Sequence, residues 1–252
     1  MPEERRLEEQ FISQEAERQL SNQLDEAEQI DVDVQTDLFK IVQGQADGVS
    51  LSAKGLVFKE NIRVQDIKLQ TDKIAVNPVS AIFGQIELNA PVNAIARIIM
   101  TESDINQALN SEFVQNSQKN YELNVEGENV RLEMQNIQLA FPGNNKIQCQ
   151  GLIGITEKGK NRPLGFTAQF QPKTYTNPII LESFNCHQGE GITFELVLAI
   201  IQKVKELLNL QYFTWEGTKF KIINLDVKQQ HLILLVETQM QHIPASISEM
   251  TN

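Results

Sequence analysis

The sequence predicts an α+β protein in which long, curved, bulged antiparallel strands wrap around amphipathic helices. Three observations carry this. Apolar and polar residues alternate with period two over most of the chain, the mark of half-buried strands. The alternation slips phase between Val64 and Ile67 and again between Met134 and Ile137, as one inserted residue in a strand does. Over residues 192–210 the period becomes helical, with Ile192, Leu196, Ile200, Val204 and Leu207 on one broad apolar face. Bulges bend sheets, and a bent sheet can close round a helix or a ligand.

Taken in order, residues 2–28 read as a helix with Leu7, Phe11, Leu20 and Leu24 on one stripe. Its acidic character favours packing on its own domain, because helices that seek a membrane surface are usually basic. Ile30, Val32 and Val34 alternate with Asp31, Asp33 and Gln35 as a strand, and the carboxylates belong on its wet side. Leu38, Phe39, Ile41 and Val42 have no clear period and suggest a helical turn, followed by a bend at Gly44 and Gly48. Strands follow through Val49, Leu51 and Ala53, through Ile62 to Val76, and through Val92 to Ile98. Thr101 begins a helix. Its hydroxyl can accept a first-turn amide, and Glu102 and Asp104 suit the positive helix end.

The second half is built of hairpins. Turns are expected at Pro142-Gly143-Asn144-Asn145 and at Glu157-Lys158-Gly159-Lys160. Phe220 to Val227 and His231 to Met240 make a last hairpin. A faint pattern echo, helix then strands after Thr101 and again after Ile192, would follow from two related halves sharing one sheet, the second starting near residue 101. The expected organisation is an N-terminal helix (1–28), one α+β domain (29–243) and a loose tail (244–252).

With 252 residues and 41% hydrophobic content, the chain can bury a substantial core. Its net charge of −11 and lack of a basic face disfavour nucleic acid as a partner, and unaided attraction to anionic headgroups as well. No apolar run nears the roughly 20 residues of a membrane span. No apolar segment follows Met1-Pro2-Glu3-Glu4-Arg5-Arg6 as in a signal peptide, so the expected location is cytoplasmic, with peripheral membrane contact allowed.

Little points to catalysis. Residues 154–160 match G-x-x-x-x-G-K, but Asn161 replaces the Ser or Thr that would hold a metal, and the flanking patterns are strands. His187, His231 and His242 lack metal-ligand spacing. Cys149 and Cys186 suggest ordinary thiols, and the spacing of Asp31, Asp33 and Asp37 does not make an EF-hand. The expectation is therefore a non-enzyme with no metal and no cofactor.

What remains is apolar surface. Val79, Ile82 and Phe83 interrupt the strands, and Leu38, Phe39 and Ile41 are similarly placed. Either group could plug the core, form the mouth of a groove or dip into a membrane. With Ile192, Leu196, Leu198 and Ile200 they are the candidate groove lining.

Residues 30–113 resemble the LmeA-like phospholipid-binding family, of the cyanobacterial type. The resemblance rests on Asp37-Leu38-Phe39-Lys40-Ile41-Val42-Gln43-Gly44-Gln45-Ala46-Asp47, on Val49-Ser50-Leu51-Ser52 with Gly55-Leu56, on the Asn77-Pro78 break, and on Thr101-Glu102-Ser103-Asp104-Ile105-Asn106. It implies a curved sheet and helices enclosing a hydrophobic cavity, as in other tubular lipid-binding folds. The implied function is non-catalytic binding of a phospholipid or other acyl-chain lipid, with transfer between membranes as its extension. The alternative is a ligand-free scaffold or interaction domain with a fully packed core.

Overall fold

A computed structural model describes residues 6–23, 27–58, 62–77, 87–111, 121–187, 192–208, 212–215 and 218–241. Val79, Ile82 and Phe83, and the tail after residue 243, lie outside the described residues. The α+β class is as expected, with two large antiparallel sheets.

The larger sheet has seven strands: β1 (Gln29–Gln35), β3 (Gly48–Phe58), β4 (Ile62–Thr71), β6 (Val92–Thr101), β12 (Phe213–Trp215), β13 (Thr218–Lys228) and β14 (His231–Met240). Their spatial order is β1-β3-β4-β6-β14-β13-β12. The last hairpin of the chain thus pairs with β6, in register from His231↔Thr101 to Met240↔Val92. A two-stranded ribbon, β2 (Gln45–Ala46) with β5 (Ile74–Ala75), sits at one end.

The other sheet has five strands: β7 (Tyr121–Val125), β8 (Glu128–Gly143), β9 (Lys146–Glu157), β10 (Lys160–Gln171) and β11 (Ile180–His187). A single sheet shared by both halves was the expectation; instead residues 121–187 form their own sheet, and only the final strands join the first. The cause is local pairing, since each of β7 to β11 bonds to its neighbour in sequence through a short connection.

Four helices complete the described chain: α1 (Leu7–Gln23), α2 (Leu38–Val42), α3 (Glu102–Leu109) and α4 (Phe194–Leu208). α3 begins where the sequence placed it. Thr101 Oγ1 accepts the Asp104 amide at 3.0 Å, and Asp104 Oδ2 accepts the Thr101 amide at 3.3 Å, a reciprocal capping box.

α1 packs differently from its apolar stripe. Leu7 and Phe11 are 81% and 70% exposed. Its polar face lies along β1, the edge strand, and caps that strand's outward amides. Glu17 Oε1 accepts from Val32 N (2.9 Å), Ser13 Oγ from Val34 N (3.0 Å) and Glu9 Oε1 from Thr36 N (3.3 Å). The spacing works because four helical residues rise about 6.0 Å and two strand residues about 6.7 Å. An open sheet edge invites pairing with another chain, and α1 closes this one.

The phase slip at Met134–Ile137 is a bulge. Register with β9 shifts between Gln135 and Gln138, and Asn136 has a φ of 51°. The slip at Val64–Ile67 is not. Pairing of β3 with β4 runs unbroken from Ser50↔Gln70 to Phe58↔Ile62. Gly55 on β3, at a φ of 59°, kinks the pair instead and turns Leu56 and Val64 into the core.

Candidate functional site

The two sheets use their concave faces differently. Leu132, Ile153, Ile155, Leu164 and Phe166 of the five-stranded sheet meet Leu196 and Ile200 of α4 in one core. Leu196 is 2% exposed and Ile200 0%. These two groove candidates are therefore closed core, while Leu198 is 49% exposed on the other side of the helix and Ile192 is half-buried against the cluster.

The seven-stranded sheet curls around open space. Residues from β1, β3, β4, β6, β14 and β13 line one cleft of about 1270 Å³, with Tyr212 at its rim. One row across its floor runs Asp33, Ser50, Gln70, Ile95, Glu237, Lys221. The next runs Asp31, Ser52, Lys68, Arg97, Leu235. Antiparallel partners share a face, so each row points into the curl. The opposite face carries Val32, Val34, Ala53, Ala94, Ala96 and Val236, all buried. Ile95, half exposed, lines the cleft beside Arg97, and Ile99, Ile233 and Leu235, half-buried, lie on the same strand face of β6 and β14 beyond the cleft lining.

At one end of these strands the surface is apolar. The Thr36–Glu9 bond brings the first turn of α1 beside the start of α2. Leu38, Phe39 and Val42 of α2 are 65%, 81% and 79% exposed at this tip, and Leu7 and Phe11 are exposed near the neighbouring start of α1; Ile41 is half-buried. The amide of Val76 donates to Gly44 O at 2.8 Å, tying the end of β5 to the same tip. Lys40 is held there between Asp37 (3.3 Å) and Asp47. The Asp47 hydrogen bond first, then the Asp37 one, raises the Lys40 pKa, so the tip's ammonium is neutralised by local acids.

Other motifs resolve as structure. Lys158 (φ 49°) and Gly159 (φ 77°) form the tight turn between β9 and β10, the geometry of a hairpin rather than of a phosphate loop. Burial pushes the Cys149 thiol up to about 11, so it is protonated at neutral pH. Among the described residues no cluster of three or more His, Cys, Asp or Glu has metal-holding geometry, and no helix is long and apolar enough to cross a membrane. Sequence reasoning missed the polar cleft residues Ser50, Ser52, Lys68, Gln70 and Arg97, because strand alternation marks them only as the wet side.

Fold and surface together define a class: an α+β protein of two curled antiparallel sheets, one filled by its own helix and the other open. The chain belongs to the LmeA-like phospholipid-binding family, whose model matches residues 4–237, nearly its whole length. No curated protein and no solved structure matches it.

Proposed function

We infer that the protein binds a phospholipid non-catalytically in the open curl of the seven-stranded sheet and exchanges it with a bilayer through the apolar tip. The observation that carries this is the match to a phospholipid-binding family along residues 4–237. The location is supported by the cleft of about 1270 Å³, which is in the size range of small-molecule sites or somewhat above it. Ile95 on the cleft floor, continued by Ile99, Ile233 and Leu235 on the same strand face, offers acyl contact, worth about 0.8 kcal/mol per buried CH₂. The tip and the neighbouring start of α1 supply five exposed large apolar side chains, Leu38, Phe39 and Val42 with Leu7 and Phe11, at the end of the strands where Asp33 and Asp72 line the cleft. With Lys40 neutralised and the chain acidic, this surface suits a zwitterionic or uncharged bilayer rather than an anionic one.

The test is organic extraction of the protein purified from cells without detergent. Near-stoichiometric phospholipid is expected in the extract. A lipid-free protein that also takes up none from vesicles would instead be the ligand-free scaffold.

A further inference from the structure

We propose that Lys68 and Arg97 form a phosphate-binding pair on the cleft floor, which takes the phosphodiester of the bound lipid; this rests on the lipid-binding reading above. The two residues are direct partners in the register of β4 and β6, on the two strands at the centre of the curl. Both side chains line the cleft. Direct cross-strand neighbours have Cβ atoms about 5 Å apart, and like charges so placed destabilise a sheet.

No ion pair among the described residues offsets that repulsion. Elsewhere in this acidic chain some cations have acids, as Arg63 has Glu28, Lys146 has Glu182, Lys158 has Glu128 and Lys228 has Asp226, while others, such as Lys54 and Lys219, form no ion pair among the described residues; what sets Lys68 and Arg97 apart is that they are direct cross-strand partners. Neither Lys68 nor Arg97 makes an ion pair among the described residues. Two acids facing the cleft are engaged elsewhere. Glu237 pairs with Lys221 at 3.5 Å, and Asp72 accepts from Asn93 N and Nδ2 at 3.1 and 2.7 Å. Asp31 lies two strands from Lys68 across Ser52, about 10 Å, close to one Debye length. Asp66, two residues before Lys68 on the same face of β4, forms no ion pair with either, and its Oδ1 is buried without a partner.

Two adjacent cations in the middle of a cleft of an acidic protein favour an anion. A phosphodiester fits because Arg presents a planar fork to two phosphate oxygens while Lys supplies a point charge beside it. The neighbours select a lipid source. Ser52 and Gln70 flank Lys68 with polar groups, and Ile95 in the cleft, with Ile99 and Leu235 on the same strand face, gives Arg97 aliphatic neighbours, so the charged and apolar parts of one amphiphile meet matching ground. The occupant is therefore a phosphate that carries hydrocarbon.

Calorimetric titration with three probes tests the pair: dioctanoyl phosphatidylglycerol, dioctanoylglycerol and inorganic phosphate. The wild-type protein is expected to bind the phospholipid more tightly than the diacylglycerol, and inorganic phosphate weakly. Lys68→Gln with Arg97→Gln should weaken phospholipid binding about tenfold or more and leave diacylglycerol binding unchanged. The melting temperature should hold or rise, since a repulsion is removed; a lost ligand contact and a lost fold are thereby separated. Lys54→Gln, a cation on β3 outside the cleft lining, should change neither affinity. Equal binding of both lipids by the wild type, or an equal loss in the Lys54 variant, overturns the assignment. Inorganic phosphate bound as tightly as the phospholipid overturns the headgroup as its source. Binding of neither lipid by the wild type removes the underlying reading, and the pair's role with it.

Discussion

The five-stranded and seven-stranded sheets are both antiparallel and bulged, yet one is closed and the other open. The difference lies in the residues of the concave face. In the five-stranded sheet that face is Leu132, Ile153, Ile155, Leu164 and Phe166, and an apolar helix can fill it. In the seven-stranded sheet it is Ser50, Ser52, Lys68, Gln70 and Arg97 with Ile95. No helix that is apolar on one side could cover those polar groups without desolvating them, at a few kcal/mol for each group left unpaired. A curled sheet therefore becomes a core or a cleft according to which half of its alternation points inward.

That contrast breaks most visibly at its two isoleucines. Ile200→Ala in α4 should destabilise by about 2–5 kcal/mol, because the fully buried site cannot collapse around the missing atoms. Ile95→Ala on the cleft floor, half exposed, should cost under about 1 kcal/mol and weaken lipid uptake instead. Urea unfolding with a lipid titration reads both, and equal destabilisation by the two would erase the distinction between core and cleft.

A smaller effect sharpens the open region. Phe39→Asp at the apolar tip, 81% exposed, should move stability by less than about 0.5 kcal/mol. It should slow lipid exchange with phosphatidylcholine vesicles while leaving binding of a soluble short-chain lipid intact. Unchanged exchange would assign the tip no part in membrane contact.

Much of the closed region was legible in sequence. The helical period beginning at Ile192 marks α4, the Asn144-Asn145 and Lys158-Gly159 turns mark the hairpins, and the slip after Met134 marks a bulge. These are local signals, set by turn chemistry and side-chain period. The open region was not legible for a reason equally physical. Lys68 meets Arg97 only through the pairing of β4 with β6, which no local pattern encodes. The slip at Val64 resembled a bulge because a glycine kink also reverses which residues are buried. α1 shows the same limit, since its hydrogen bonds to β1 come from Glu9, Ser13 and Glu17 while Leu7 and Phe11 of its apolar stripe stay exposed.

The most direct test is to map where a phospholipid lies. A photoreactive phosphatidylcholine with its label in the acyl chain, loaded from vesicles and activated by light, should mark peptides of β6 and β14 around Ile95 and Leu235. Labelling confined to α4 and the strands around Ile153 and Phe166, or no labelling of the folded protein, would contradict an open lipid site in the seven-stranded sheet.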